Sequence, residues 1–464
     1  MKMNKSVLYI TLATILMSGC KAYHSLYDDY QRPDVKSENV VRNPVDDNAY
    51  LSTADSTGFG NLPWRTVFTD ANLQTIIEKA LANNPDLLNA ALNIDMAEAQ
   101  LKAAKLAFLP SVAFAPQGTI SHFGTHSEAT KAYTLPISAS WNVDLFGNLR
   151  SQKKAAQVAL LQTKDYELAV KTSLIANAAN LYYTLLMLDK QMEIVTEMQK
   201  LTKDTWNMMK MQMDLGRTRS TSVQSAEAAY YSVLTQTASL KGQIREVENS
   251  LSLLMGEPAH SISRSTLDSQ SLPEQYAKGI GLNMLSNRPD VHANEMALAQ
   301  CFYGVETARS RFYPSITISP TGAYTNSNGL VNPGKILLSV VGQLTQPIFA
   351  NGQLKAGLRV AEAQYKQAYN TWQNSILSAG SEVSNALVQY NSSDEKSKLE
   401  KQQVDVLKKN VEHTELLFRQ SSSSYLEVIT AQQNLLNAQI SKVQDDFSKM
   451  QAVVNLYYAL GGGR

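Results

Sequence analysis

An internal repeat constrains this sequence more than any other feature. Asn83-Asn84-Pro85-Asp86 in the first half corresponds to Asn287-Arg288-Pro289-Asp290, which begins 204 residues later. A shift of 205 residues aligns the positions further along, among them Leu149 with Leu354, Asn180 with Asn385, Val223 with Val428 and Gly256 with Gly461. A repeat of this length predicts two copies of one architectural unit, so both halves should contain the same helices and strands in the same order.

The N-terminus predicts export from the cytoplasm. Lys2 and Lys5 precede an apolar run over residues 7–17, and Ser18-Gly19-Cys20 follows. A basic region, an apolar region and small residues at the cleavage point form a secretory signal peptide, here residues 1–19. A cysteine directly after the cut is typical of a bacterial lipoprotein signal, which makes Cys20 the predicted lipidation site. Ordinary secretion with a coincidental cysteine is the alternative.

Composition narrows the classes of partner and activity. Lys and Arg number 42 against 41 Asp and Glu, and this balance predicts no nucleic-acid partner. Residues 20–62 are polar and lack a period, so we interpret them as an extended leader. Outside the N-terminus there is no run of 18 apolar residues, so the sequence predicts no transmembrane helix. No catalytic or cofactor-binding constellation emerges, and we expect neither an enzyme nor a bound cofactor.

A strict period of two marks the clearest strand. From Tyr133 to Leu145 apolar side chains alternate with polar ones without a break, and the preceding stretch, 111–121, alternates more weakly. The two together predict a β-hairpin over about 111–146, and the second half repeats it over about 315–349. A strand with one apolar and one polar face lies between two media. Long strands of this kind are typical of transmembrane β-barrels; a soluble sandwich with one wet face is the alternative.

Four strands cannot close a barrel by themselves. An open sheet edge leaves backbone N–H and C=O groups without partners in lipid, which is not tolerated. Known membrane barrels begin at about eight strands. The chain is therefore expected to oligomerise, because two copies would supply eight strands and three copies would supply twelve.

Long helices fill the rest of each repeat. Proline is absent from Leu149 to about Leu215 and from Lys355 to about Gln420, and each stretch predicts a helix of roughly 100 Å at about 1.5 Å per residue. After a short turn the chain returns as a second helix, which gives helical hairpins over 149–256 and 354–461. Their apolar stripes are narrow and rich in Ala, which suits a single-layer wall with water on both sides. The first repeat then covers residues 63–270 and the second 271–464.

The combination of motifs resembles one family. The chain is similar to the TolC/OprM outer-membrane factors, specifically the lipoprotein branch that serves tripartite efflux systems of the RND type. The motifs that carry the resemblance are Tyr30-x-x-Pro33, Asn84-Pro85-Asp86, Asp144-Leu-Phe146-Gly147-x-Leu149-Arg150, Leu285-x-x-Arg288-Pro289-Asp290 and Gln346-Pro347-Ile348-Phe349. The resemblance implies an α+β fold: a homotrimer with a 12-stranded outer-membrane β-barrel, four strands per chain, continuous with a 12-helix periplasmic α-barrel.

The resemblance also implies partners and a location. The chain would be a passive exit duct in the outer membrane of a Gram-negative bacterium, anchored by lipid, with its tunnel in the periplasm. It would receive drugs or toxic small molecules from an inner-membrane RND-type pump through a periplasmic adaptor. A type I protein secretion system or a copper or silver efflux system is the alternative. A helical surface lipoprotein that binds nutrients is disfavoured, because it would not need the period-two strands.

Two groups of site residues follow from the resemblance. The family's helix turns carry a Gly-x(6)-Val pattern that meets the adaptor; it maps to Leu215, Gly216 and Val223, and to Ser421 and Val428, where Ser replaces Gly. The family's gate maps to Leu426, Glu427 and Thr430, and Thr430 stands where the family commonly has Asp. A trimer would then present three inward carboxylates, which repel one another and favour cation passage. The alternative is that Glu427 is only a solvated acid at a helix start.

A methionine cluster lies just before the first turn, at Met208, Met209, Met211 and Met213. Thioethers are ligands for Cu(I), so these residues are weak candidates for metal handling. The repeat partners of Met211 and Met213 are Leu416 and Phe418, and methionine fills gaps between helices well. We therefore interpret the cluster as packing and predict no metal site.

Overall fold

The computed structural model describes residues 29–34, 41, 59–122, 129–271, 288–326, 335–420 and 424–463. The predicted signal peptide, Cys20, most of the leader and Ser421 lie outside the described residues. The chain divides into two compact units, and each draws on both halves of the sequence. The first comprises Met1–Val35, Leu92–Lys164 and Ala293–Gln373, and the second comprises Lys36–Ala91, Asp165–His292 and Asn374–Arg464.

The first unit contains an antiparallel sheet. Its strands are β1 (Ser111–Phe114), β2 (Gln117–Ser121), β3 (Thr130–Val143), β4 (Ser315–Asn326) and β5 (Lys335–Thr345). The first predicted strand consists of two segments, β1 and β2, which both pair with β3. Pro116 lies between them and cannot donate a backbone hydrogen bond, so the ladder is interrupted there. The sheet has four strand positions, because β3 pairs with β4 and β4 with β5.

Register places most of the apolar side chains of the strands on one face. Leu135 is opposite Tyr324, and Tyr324 is opposite Ile336; directly paired residues point to the same face. Trp141, Ile318 and Val112 belong to the same face by the alternation along their strands. The opposite face carries mainly hydroxyl and amide side chains, together with Leu337 and Val341 of β5. On this face the Thr134 and Thr325 hydroxyl oxygens are 3.3 Å apart. The apolar face is exposed in a single chain, including Ile137, Leu338 and Val340.

Repeat-related hydrogen bonds attach the strands to the helices that precede them. The Trp141 indole N–H donates to the carbonyl of Phe108 over 2.9 Å. At the repeat-equivalent position the Gln346 amide donates to the carbonyl of Phe312 over 3.0 Å. Two different side chains thus make the same connection, which shows that the duplication conserves the geometry of this junction and not its residues.

Part of the leader packs on the first unit. Arg32 forms an ion pair of 2.9 Å with the largely buried Glu295 and lies 5.6 Å above the Trp372 ring. Tyr30 contacts the Phe302 ring edge-on at 6.0 Å, and burial raises the pKa of Tyr30 above its usual range. The Tyr30-x-x-Pro33 motif is therefore a packing element.

The second unit begins with capped helices. After a short helix, α1 (Trp64–Val67), Asp70 accepts a hydrogen bond from the Asn72 N–H and starts α2 (Ala71–Asn83). Burial alone would raise the pKa of Asp70, but hydrogen bonds from Gln270 and Tyr182 hold it below its usual value. Burial raises the pKa of Tyr182 to about 12.

The Asn84-Pro85-Asp86 motif starts the next helix. The Asn84 side chain accepts from the backbone N–H groups of Asp86 and Leu87 at 3.0 and 3.3 Å, which caps α3 (Pro85–Leu106). Its amide also donates to the carbonyl of Leu254 over 3.0 Å. Asn84 therefore joins a helix start to a helix end.

The long helices have equal lengths in the two halves. In the first half α4 (Asn148–Asp214) has 67 residues and α5 (Ser220–Leu254) has 35. After α6 (Pro289–Ser310), the second half repeats this with α7 (Gln353–Arg419), 67 residues, and α8 (Tyr425–Ala459), 35 residues. Among the described residues, no helix combines the length and the apolar character that crossing a bilayer requires.

Glycines end both return helices. Gly256 has φ +69° and Gly461 has φ +76°, a conformation that costs other residues free energy. At Gly256 the N–H groups of Gly256 and Glu257 donate to the carbonyls of Leu253 and Ser252, which is the Schellman pattern. This repeat-conserved glycine is therefore required by the backbone.

Replacing Gly256 tests that requirement. A Cβ at this position would lie 2.9 Å from the Asn83 carbonyl oxygen, and with the positive φ we expect Gly256→Ala to destabilise the chain by about 1–3 kcal/mol. The matched control is Gly304→Ala in α6, where a Cβ meets nothing within 4 Å and alanine favours the helix. Thermal unfolding followed by circular dichroism should show a lower Tm for the first variant only; equal Tm values would contradict the assignment.

Candidate functional site

The first helix turn is the connection between α4 and α5, and a glycine cap ends α4 there. Arg217 N–H donates to the Gln212 carbonyl over 2.8 Å and Gly216 N–H to the Met213 carbonyl over 2.9 Å. Gly216 has φ +69° and nothing within 4 Å of the position of a Cβ. The glycine therefore serves the backbone turn, and Leu215 beside it is exposed. These two predicted adaptor-contact residues lie at the surface of the turn.

The second turn is built differently. Ser424 caps α8: its hydroxyl accepts from the Glu427 N–H, and the Glu427 carboxylate accepts from the Ser424 N–H, both over 3.4 Å. This reciprocal pair is a capping box, which satisfies two backbone donors at a helix start. The start of α5 follows Arg219, whose side chain makes no such bond. The two turns are therefore stabilised at opposite helix ends, the first by a C-terminal glycine and the second by an N-terminal box.

The predicted gate residues lie on the first turns of α8. Leu426 and Thr430 are exposed, and the Thr430 hydroxyl donates to the Leu426 carbonyl over 2.7 Å. Four residues apart, they share one helix face. Glu427 is exposed beside them, and its negative charge suits the positive end of the helix dipole. The capping bond fixes where this carboxylate lies, so the acid has a structural role whatever else it does.

A buried cluster holds the two turns together; we call it the tip core. Val223 and Val428, both predicted from the adaptor pattern, lie inside it. The tip core consists of Met209, Val223, Ala226, Phe418 and Val428, with Trp206, Met208, Tyr425 and Ile429 packed against it. The two valines therefore support the turns from within the chain, and the surface available at the first turn comes from Leu215 and Gly216.

The methionines divide between core and surface. Met209 is fully buried in the tip core and Met208 packs against it, whereas Met211 and Met213 are exposed. This arrangement fits the interpretation as packing for the first two. In the described part of the chain, no group of three or more His, Cys, Asp or Glu side chains is placed to hold a metal.

Sequence reasoning missed an aromatic cluster above the first turn. Trp206 stacks on Tyr230 with ring centroids 5.6 Å apart, Tyr231 lies 5.8 Å from Tyr230, and the Lys210 ammonium is 3.5 Å from the Trp206 ring centroid. The sequence signal that could have indicated this cluster is the position of Trp206 and Lys210 on α4 and of Tyr230 and Tyr231 on α5. Because they are aromatic only in the first half, the repeat comparison hid them.

A cavity of about 390 Å³ separates the helices further along this unit. Its lining is mostly charged, with lysines (Lys190, Lys401, Lys408, Lys442) and acids (Glu193, Glu197, Asp268, Asp405, Asp446). Nearby, burial and the adjacent Asp445 carboxyl raise the pKa of Glu400 to about 7. Because lysines and acids line this cavity together, it does not favour ions of one sign. It suits a polar gap between helices.

The family model of the outer membrane efflux proteins matches residues 76–257 and 282–462. The chain belongs to this family. One matched segment falls within each of the two repeats, so the predicted internal duplication is confirmed. The prediction of an outer-membrane efflux protein is confirmed as well.

Individual relatives agree with this assignment. The chain is 26% identical over 453 residues to the cation efflux system protein CusC of Escherichia coli K12, covering 97% of both chains. It is 29% identical over 475 residues to the probable efflux pump outer membrane protein TtgC of Pseudomonas putida KT2440, covering 99% of this chain and 96% of TtgC. The probable outer membrane lipoprotein SilC of Salmonella typhimurium is 25% identical over 464 residues, with 98% of both chains covered.

Solved structures share the fold. A crystal structure of CusC superposes with a TM-score of 0.84 and 25% identity, covering 94% of this chain and 99% of CusC. The open-state outer membrane channel MtrE of Neisseria gonorrhoeae gives a TM-score of 0.83 at 25% identity, covering 94% and 98%. The predicted fold class, that of an outer-membrane channel protomer, is confirmed.

The capping box yields a test of the difference between the turns. Ser424→Ala removes one of its two bonds and should destabilise the start of α8 by about 1 kcal/mol. Amide hydrogen exchange at Glu427 and Val428 should then be about fivefold faster. The matched control, Ser220→Ala, changes the first residue of α5, where no side-chain cap exists, and should leave exchange unchanged. Equal effects at both turns would refute the asymmetry.

Proposed function

We propose that this chain forms, as a homotrimer, the outer-membrane exit duct of a tripartite efflux pump. The observation that carries the proposal is the sheet. It has one continuous apolar face and one mainly polar face, and its outer strands, β1–β2 and β5, each pair on one side only in the described chain. A sheet edge in lipid must find a backbone partner. Three copies joined edge to edge give twelve strands, with apolar side chains toward lipid and hydroxyl groups toward the lumen.

The long helices extend the duct into the periplasm. At about 1.5 Å per residue, the 67 residues of α4 and of α7 are each roughly 100 Å long. Three copies supply six repeats and a 12-helix α-barrel. The duct moves its cargo passively, and we expect neither catalysis nor a cofactor.

Two further contacts complete the assembly. Cys20 is the proposed lipid anchor to the outer membrane. The helix turns are the proposed docking site for a periplasmic adaptor, which links the duct to an inner-membrane RND-type pump. At the first turn Leu215 and Gly216 would meet the adaptor, and Ser421 would do so at the second, while Val223 and Val428 hold the turns in shape from the tip core.

The gate lies at the second turn. Leu426, Glu427 and Thr430 of three copies would surround the axis at its narrowest point. Three carboxylates close together repel one another, so cations near them are favoured and anions are not. The capping box holds each carboxylate at the start of α8.

The cargo follows from the pump. Organic small molecules are the first candidate, because the relative TtgC is named as an efflux pump protein. In another Pseudomonas putida strain TtgC is named as part of a toluene efflux pump. Metal cations are the second candidate, because CusC is named as part of a cation efflux system and Met211 and Met213 are exposed near the turn. Copper and solvent sensitivity of a deletion strain distinguish them.

Assembly and conduction test the proposal together. The detergent-extracted protein should have the mass of three chains, and it should conduct ions when inserted in a planar bilayer. A strain lacking the gene should accumulate a fluorescent pump substrate, and the intact gene should restore export. A water-soluble monomer without conductance would refute the exit-duct assignment.

The gate has its own test. Glu427→Gln keeps the capping box, since glutamine can replace glutamate there, but removes three charges from the ring. We expect the cation-to-anion permeability ratio to fall by about twofold or more, and the fold to be unchanged. The matched control is Glu246→Gln on the exposed face of α5. If the Glu427 variant and its control have the same selectivity as the original chain, Glu427 is only a helix cap.

A further inference from the structure

Positive charge collects where the helices meet the sheet. Over the eight residues nearest to the sheet in each of α3, α4, α6 and α7, Lys and Arg number eight and acidic residues one. The whole chain carries a formal net charge of only +1, so this excess is local. We call these cations the basic collar: Lys102, Lys105, Arg150, Lys153, Lys154, Arg309, Lys355 and Arg359.

Hydrogen bonds hold these helix ends beside the strands. Asp144 directly follows β3, and its carboxylate accepts from the backbone N–H groups of Leu149 and Arg150 at 3.1 and 2.9 Å. The Arg150 side chain lies 3.7 Å from the same carboxylate. The Asn148 amide donates to the Ser310 hydroxyl over 2.7 Å, which joins the start of α4 to the end of α6. The basic collar therefore occupies the two helical turns next to the sheet, a band about 12 Å deep.

Only part of the basic collar is neutralised within the chain. Arg309 pairs with the buried Glu306 over 2.9 Å, and Lys154 pairs with Asp29 of the leader. A surface patch of one sign attracts partners of the opposite sign. In the described part of the chain, four exposed collar cations have no acidic group within 4.0 Å: Lys102, Lys105, Lys355 and Arg359.

Exposed apolar and aromatic side chains lie between the basic collar and the strands. Leu109 follows α3, and Ile348 and Phe349 follow β5; all three are exposed. Phe146 and Tyr313 stack with their ring centroids 5.1 Å apart. Aromatic side chains at the ends of membrane strands lie at the boundary between hydrocarbon and headgroups. Cations in the next two turns are then at the level of the lipid phosphates.

The leader indicates which side of the helices the basic collar faces. It contacts α4 through the pair of Asp29 and Lys154. A leader that ends in a lipid-anchored cysteine, as proposed for Cys20, runs outside the duct. Lys154 therefore faces outward, and Arg150, one turn before it, shares that face.

We propose that the basic collar binds the phosphate groups of anionic phospholipids in the leaflet next to the helices. The inference rests on the proposed function, which puts the sheet in a bilayer, and adds the class of lipid that the helix-side rim selects. Each Lys or Arg close to an anionic membrane surface strengthens binding by about fivefold. A soluble acidic protein is disfavoured as the occupant, because exposed apolar side chains adjoin the cations.

Trp141 is an intrinsic probe of this rim. It is exposed on the apolar face and bonded to the Phe108 carbonyl, and the Lys153 ammonium is 5.9 Å from the Phe108 ring centroid. The full chain is reconstituted in phosphatidylcholine vesicles with increasing fractions of a lipid whose brominated acyl chains quench nearby tryptophan. Brominated phosphatidylglycerol should reach half-maximal quenching at a mole fraction at least about threefold lower than brominated phosphatidylcholine. The difference should shrink in about 1 M salt, and Trp141→Phe should remove the quenched signal.

Charge removal tests the basic collar itself. Lys102→Gln with Lys105→Gln removes two exposed cations from the end of α3 next to Phe108 and should lower the preference for the anionic lipid to less than about 1.5-fold. The matched control, Lys200→Gln with Lys203→Gln, removes the same charge from exposed positions about 50 residues further along α4 and should leave the preference unchanged. Lys153→Gln on α4 should lower the preference to a smaller extent, and it provides the measurement if the double variant does not fold.

The outcomes separate this proposal from the proposed function. Equal quenching by the two lipids would overturn the lipid assignment and leave the exit duct standing. So would a preference that persists in the collar variants. If neither brominated lipid quenches Trp141, the sheet is not in the bilayer, and the proposed function itself fails.

Discussion

The backbone of the sheet imposes the constraint on which the rest of the structure depends. Water can satisfy an unpaired strand edge, but hydrocarbon cannot. The described sheet has four strand positions, and its apolar face suits lipid. A single chain can therefore be stable in the membrane only as part of a closed ring.

Duplication meets this constraint with little sequence conservation. The bond from Trp141 to the Phe108 carbonyl and the bond from Gln346 to the Phe312 carbonyl have nearly equal lengths but different donors. The two helix turns diverge further, because Gly216 ends one helix while Ser424 and Glu427 start another. The hydrogen-bond geometry is kept where the repeats join the sheet, and the side-chain chemistry changes at the helix turns.

Much of the fold could be predicted from the sequence, because its periods are strong. The alternation from Tyr133 to Leu145 located β3, and the proline-free stretches located α4 and α7 to within a few residues. The sequence indicated the break at Pro116 only by a proline in a weakly alternating strand. That both segments pair with β3 is known from the register in the structure. The burial of Val223 and Val428 was not predictable from a family pattern, because packing between four helices depends on side chains far apart in sequence. The gate and lipid-anchor assignments remain predictions.

The equal lengths of the paired helices have a consequence for how such a chain can change. One residue inserted in α4 would turn every later residue of that helix by about 100° and move it about 1.5 Å along the axis. Contacts of α4 with α8, such as the bond from Gln432 to Thr205, would then be out of step. Length is therefore a property that both repeats must hold in common, and an altered tunnel depth requires matched insertions in α4, α5, α7 and α8. Loop lengths are not coupled in this way, so insertions and deletions should occur in loops first.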